Sequence, residues 1–264
     1  MKRLLAVFLG FLPVVALGQG FDTAHREWDA LVKKHVVLVA GGKASQVRYA
    51  AFAKDRAALK AYLDALSAVP AATFDAWPKA ERMAFLINAY NAFTVELILA
   101  NYPVKSIKDI GGILDNRWKR KFFSLLGQPS YLDRIEHEML RKPGAYDDPR
   151  VHFAVNCASI GCPMLREEAY TAAKLDAQLE EQTRRFLGDR SRNRYANGRL
   201  EVSEIFRWFK EDWTSGYRGI RSREAFFARY ADLLADDPAA RQRIADGQAA
   251  IAHLDYDWSL NDAR

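Results

Sequence analysis

The segment RVHFAVN, Arg150 to Asn156, decides the fold class. Val151, Phe153 and Val155 alternate with His152, Ala154 and Asn156, the period-two pattern of a strand with one apolar face. Upstream, residues 121–126, the turn Gly127-Gln128 and residues 130–132 read as a short hairpin, followed by a helix over 133–141. Around this β centre the chain reads as helical: 23–39 before Gly41-Gly42, 51–66, and 79–101, which stops ahead of Pro103. Residues 70–78, bounded by Pro70 and Pro78, read as a loop. Thr171, Ser203 and Ser222 cap further helices towards Leu187, Trp213 and Leu234, and Asp255-Tyr256-Asp257-Trp258 closes the chain with an aromatic anchor. The expectation is one α+β domain over residues 19–264, rich in helix, with a small central sheet or a hairpin plus strand. No repeat or long linker divides it.

Of the 264 residues, 50% are hydrophobic and 27% charged, which excludes a disordered or low-complexity chain. The net charge is +6, of which Lys2 and Arg3 supply two, and the remaining +4 is too mild to imply a nucleic-acid partner. Residues 1–18 read as a signal peptide: a basic start, an apolar run from Leu4 to Leu17 and the small-residue pattern Ala16-Leu17-Gly18. The mature protein is then expected to begin near Gln19, in the periplasm or outside the cell. No later stretch reaches the ~20 apolar residues of a membrane span. The basic run from Arg117 to Lys121 reads as a solvated edge or a weak contact with an anionic membrane surface.

Several polar residues sit where apolar ones are expected. On a wheel of about 100° per residue, Leu86, Tyr90, Phe93 and Leu97 form one arc of the 79–101 helix, and Asn88 and Asn91 lie opposite with Ala84 and Ala92. Asn is a poor interior helix residue, so this pair belongs either to a solvated face or to a buried amide network that could hold a ligand. In the 133–141 helix Glu136 falls inside the arc of Leu132, Ile135, Met139 and Leu140, and His137 lies beyond its edge. Glu136 should be buried and should contact a His or Arg. On the strand, His152 and Asn156 point away from the apolar face, and the ~16 Å of extended chain between His152 and Cys157 keeps them apart unless the strand ends early. Cys162 precedes Pro163, a favoured first helical residue, which would set its thiol at a helix N-terminus. Glu136 and His137 are adjacent rather than at a same-face spacing, so neither a metal nor another cofactor is expected. Trp208, Trp213 and Trp258 read as core.

Four motifs carry a family resemblance: FLINAYNAFTVELILANYPVKSIKDIGG (Phe85 to Gly112), YLDRIEHEMLR (Tyr131 to Arg141), the stretch from Asp148 to Leu187 around VNCASIGCP, and YDWSLN (Tyr256 to Asn261). Together they resemble the bacterial domain-of-unknown-function 547 family. The resemblance implies a shared fold and an exported location but carries no reaction with it.

Two functions stand. The first is a thiol-dependent hydrolase or transferase acting on a peptide, amide or thioester bond, with Cys157 or Cys162 as nucleophile, His152 or His137 as base, Glu136 or an Asn as the orienting group, and Asn88, Asn91 and Asn156 holding a small-molecule or peptide ligand. The second is a non-catalytic envelope binding domain stapled by a Cys157–Cys162 disulfide.

Overall fold

The computed structural model describes residues 20–112 and 116–263. The expected signal peptide and the start near Gln19 lie outside them. The architecture is α+β and rich in helix, with the strands gathered into three small sheets.

Helix α1, Arg26–His35, turns directly into a hairpin of β1, Val36–Val39, and β2, Ala44–Val47, paired antiparallel with Val36 opposite Val47. The helix expected over 23–39 therefore ends early: Val36 to Val39 are β-branched or long apolar residues whose backbone groups a partner strand satisfies, and Gly41-Gly42 closes the turn at positive φ. Helix α2, Arg56–Ala68, follows a short helical turn at Tyr49–Phe52. The segment expected as a loop between Pro70 and Pro78 holds a helix, Ala71–Ala76, for which Pro70 supplies the N-cap position. Helix α3, Lys79–Leu99, is the axis of the molecule, buried all round from Met83 to Val95.

The hairpin was legible: β3, Phe123–Leu125, pairs with β4, Gln128–Ser130. The helix after it is π-type, Arg134–Leu140, with the Arg141 N–H donating to the Glu136 carbonyl at 2.9 Å. The expected strand at 150–156 is instead a 3₁₀-helix, Pro149–Phe153. Pro149 stands at the first helical position, and the Asp148 side chain accepts the Arg150 N–H at 3.0 Å. The apolar alternation has another cause: Val151 belongs to the core around α3, whereas Phe153 belongs to a second core built by the C-terminal helices, so the segment is apolar on both sides. Helix α4, Leu175–Leu187, begins later than Thr171, and β5, Arg194–Ala196, β6, Arg199–Ser203, and β7, Ile251–Leu254, form a sheet in which β6 and β7 run parallel. The expected 203–213 helix is reduced to Ile205–Trp208 plus a 3₁₀ turn at Asp212–Thr214, and the 222–234 helix is broken into Arg223–Ala228 and Ala231–Leu234.

The C-terminal residues run back over both cores as a strap. Ile160 N–H donates to Ser259 O, Gly161 N–H to Asp257 O, and Asn261 N–H to Ala158 O, while Ala263 N–H reaches Val47 O. A Cβ on Gly161 would lie 2.9 Å from the Asp257 nitrogen and 3.1 Å from a ring carbon of Tyr256, so only glycine lets strap and loop approach this closely. No helix among the described residues is long and apolar enough to cross a membrane.

Candidate active site

Because residues 149–153 coil instead of extending, the chain covers His152 to Cys157 compactly and both side chains reach one cleft. That cleft measures about 210 Å³ and lies between the two cores. Glu136, His137, His152, Cys157 and Cys162 all line it.

The three asparagines do not line it. The Asn88 amide donates to Tyr170 O at 2.8 Å and accepts from Tyr170 N–H at 3.0 Å. Asn91 donates to Ala154 O at 2.9 Å and accepts from Asn156 N–H at 2.8 Å. Asn156 donates to Pro163 O at 2.7 Å and accepts from Ala158 N–H at 2.9 Å. Each amide accepts one backbone N–H and donates an N–H to a backbone carbonyl, so these side chains clamp Tyr170 and the cysteine loop from outside the cleft. Of the two alternatives for this pair, the buried amide network is the one formed: Asn88 and Asn91 are 0% and 1% exposed.

The loop between the cysteines is held tightly. Ala158 adopts φ 60° while fully buried, a conformation that costs a non-glycine residue of order 1 kcal/mol and persists only where its surroundings over-determine it. No helix begins at Pro163, which corrects the expected helix N-terminus at Cys162. Instead the Cys162 carbonyl accepts from Arg192, itself paired with the buried Asp189. Both cysteines are free thiols, so the expected disulfide staple is absent.

The two sulfurs are unlike. Cys162 is buried, its sulfur accepts the Cys157 N–H at 2.9 Å, and burial pushes its thiol well above the ordinary range. Cys157 is half-buried, and its thiol is lowered by hydrogen bonding to Cys162 and by the hydroxyls of Tyr256, 3.2 Å away, and Ser159, 3.6 Å away. Of the pair, Cys157 is thus the thiol more easily ionised, and Cys162 the one that more firmly keeps its proton.

Among the described residues no imidazole nitrogen hydrogen-bonds to either sulfur, contrary to the direct thiol–imidazole pair the sequence suggested. The His152 ring is fixed elsewhere: Nε2 lies 2.7 Å from Asp212 Oδ2, and the ring stacks on Phe209 at 4.1 Å between centroids. Burial lowers the His152 pKa, with Asp212 opposing, so the ring is a neutral base at neutral pH. The tautomer that donates Nε2–H to Asp212 leaves the Nδ1 lone pair as the basic site. Asp212 resists the upward push of burial and is held far below the usual carboxylate range by His152 and by Arg141, whose Nε and Nη2 lie 2.6 and 3.2 Å from its oxygens. His137 sits at the rim, its Nδ1 paired with Arg141 and its Nε2 3.7 Å from Asp133. Glu136 is buried at 8% exposure, as its place on the wheel suggested, yet it forms no ion pair with a His or Arg among the described residues; its interacting group is the Tyr90 hydroxyl.

The sequence reading missed Asp212, Arg141, Tyr90, Phe209 and Tyr256, and it assigned Trp208 and Trp258 to the core. Only Trp213 is core, whereas Trp208, 40% exposed, and Trp258 form the cleft wall with Tyr256 and Trp118. Asp212, within Lys210-Glu211-Asp212-Trp213, lies at the end of the segment read as a helix from Ser203 to Trp213, and no local signal marks it. Among the described residues no group of three or more His, Cys, Asp and Glu side chains is arranged to hold a metal ion.

The cleft therefore defines a thiol-centred site on an α+β fold: a polarised cysteine, a neutral histidine oriented by a carboxylate, and aromatic walls. Residues 74–187 match the model of the family described as Protein of unknown function, DUF547. This stretch carries both cysteines and His152, but not Asp212 or the strap. No curated protein and no solved structure matches the chain.

Proposed function

We propose that the protein is an exported, thiol-dependent hydrolase or transferase, with Cys157 as nucleophile and His152 as general base. The observation that carries this reading is the convergence of a hydrogen-bonded, acidified Cys157 and the His152–Asp212 pair in one cleft. Of the three bond types, a thioester fits best. In neutral His152 the one N–H is donated to Asp212 and Nδ1 has no proton to give a departing amine, whereas a thiolate leaves without one.

In the first step the Cys157 thiolate attacks the carbonyl carbon, a carbon–sulfur bond forms, and the substrate's thiolate departs with its electron pair. In the second, His152 Nδ1 takes a proton from water as the water oxygen attacks the acyl carbon, and the Cys157 sulfur leaves again as thiolate. The imidazolium formed there is balanced by Asp212 and then returns its proton to the departed thiolate or to solvent. In a transferase, another nucleophile replaces water. Direct contact between His152 and Cys157 is not required, because Cys157 enters the cycle as a thiolate whose proton has gone to solvent and whose charge hydrogen bonds from Cys162 and Tyr256 stabilise.

Mass spectrometry of protein incubated with short acyl thioesters tests this. The expected result is an acyl adduct on Cys157, accumulating in His152→Ala and absent in Cys157→Ser. Turnover surviving Cys157→Ser refutes the assignment.

A further inference from the structure

The charges in the cleft run against those of the chain. The protein carries a net +6, yet the charged side chains lining the cleft, its histidines aside, are the carboxylates Asp133 and Glu136, and neither Lys nor Arg lines it. Asp133 has His137 Nε2 at 3.7 Å. Glu136, which contacts the Tyr90 hydroxyl, has no Lys, Arg or His ion-pair partner among the described residues, although a buried carboxylate beside a thiolate is costly on both counts.

The aromatic walls give a second, independent indication. The protein already seats its own cations on three of these rings: Lys108 Nζ lies 3.9 Å from the Trp258 centroid, Arg117 5.3 Å from Trp118 and Arg141 4.5 Å from Phe209. Trp208 and Tyr256, 4.9 Å apart between centroids, hold no cation among the described residues, and Tyr256 adjoins the Cys157 sulfur. Rings of this kind attract ammonium groups, most strongly where water is displaced. The volume, about 210 Å³, falls below that of pockets for drug-sized ligands and suits one end group beside a scissile bond.

We propose that the cleft selects acyl groups bearing an ammonium or quaternary ammonium nitrogen, which Glu136 neutralises and the aromatic wall containing Trp208 and Tyr256 borders on one side. The inference rests on the thiol-enzyme reading, and it adds the substrate class. It also gives Glu136 a task other than the orienting one expected of it, which Asp212 performs. A bound cation would remove the repulsion that Glu136 exerts on a Cys157 thiolate, so the correct substrate would activate its own nucleophile. Acyl groups ending in a carboxylate would meet Glu136 and be rejected.

Methanethiosulfonates that differ only in charge read this selectivity without requiring turnover. In each, the Cys157 thiolate attacks the sulfenyl sulfur, a disulfide forms and methanesulfinate leaves. Rates at Cys157 in the full chain are measured at one neutral pH for the trimethylammonioethyl, methyl and sulfonatoethyl reagents, each divided by its rate with 2-mercaptoethanol. The expected normalised preference for the cation over the neutral reagent is about tenfold or more, with the sulfonate below the neutral one. Glu136→Gln should bring the cation-to-neutral ratio close to 1; because it is a ratio, a general change in thiol reactivity cancels. Trp208→Ala, at an exposed ring whose removal the fold should tolerate, should lower the same ratio several-fold. A normalised ratio near 1 in the parent protein, a preference for the sulfonate, or a ratio unchanged in both variants overturns the proposal. A parallel assay with an ammonium-bearing thioester and its neutral tert-butyl isostere separates the two readings: equal turnover of both refutes the charge selection alone, whereas a charge-selective Cys157 that accepts neither acyl group refutes the enzyme reading alone.

Discussion

Replacement of Asp212 by Asn tests whether the buried pair serves the chemistry. Asp212 accepts from His152 at 2.7 Å and from Arg141 at 2.6 Å, and its charge is the counter-ion for the imidazolium formed during deacylation. Two unit charges about 4 Å apart at an effective dielectric near 20 interact by about 4 kcal/mol. Asp212 is partly exposed, and an asparagine oxygen could still accept from His152, so a loss of about 3 kcal/mol is reasonable, or roughly 10²-fold in kcat. KM should change little, because Asp212 does not line the cleft. The pH profile gives a signature that a merely structural role would not. Asp212 raises the His152 pKa against the effect of burial, so its loss should move the pKa further down and shift the acid limb of kcat to lower pH. The assay is release of thiol from a thioester across a pH series, with a thermal melt to confirm folding. A folded Asp212→Asn protein whose kcat stays within threefold of the parent, with an unmoved acid limb, refutes the assignment of His152 as an Asp-oriented base.

Cys162→Ala should retain a functional Cys157 but slow its alkylation near neutral pH several-fold, since Cys162 is the largest influence lowering that thiol; an unchanged rate contradicts the polarised pair. Asn91→Ala leaves Ala154 O and Asn156 N–H buried without a partner and should cost about 2–4 kcal/mol in urea unfolding, whereas a loss below 1 kcal/mol would mean the clamp is dispensable. Stability should fall in acid: Glu168 is held down at about 2 by Arg166 and Gln178 despite burial, and Asp189 and Asp212 are also lowered. Their contribution is complete above the unfolded carboxylate range near pH 4 and is lost as pH falls through the folded values, so a urea midpoint that stays flat from pH 5 to 2 would contradict it. N-terminal sequencing of the protein from an envelope fraction should begin close to Gln19, and an intact Met1 in cytoplasm would refute export.

What the sequence determined by itself was local or compositional. The apolar periodicity of residues 79–99, the glycine turn between β3 and β4, and the helix-rich α+β class follow from spacing that acts within a few residues. Glu136, His152, Cys157 and Cys162 stood out because polar or reactive groups amid apolar neighbours carry a desolvation cost that composition alone exposes. The segment at 150–156 misled because alternation reports burial on two sides as readily as a pleat, and two cores, each assembled from distant parts of the chain, bury it from opposite directions. The partners of the site were beyond local reach for the same reason. Asp212 meets His152 across 60 residues and Tyr256 meets Cys157 across 99, through hydrogen bonds whose energy depends on geometry that only the closed fold supplies. The asparagines show the reverse case: as residue types they advertise hydrogen bonding, and the tertiary structure alone decided which backbone groups they meet.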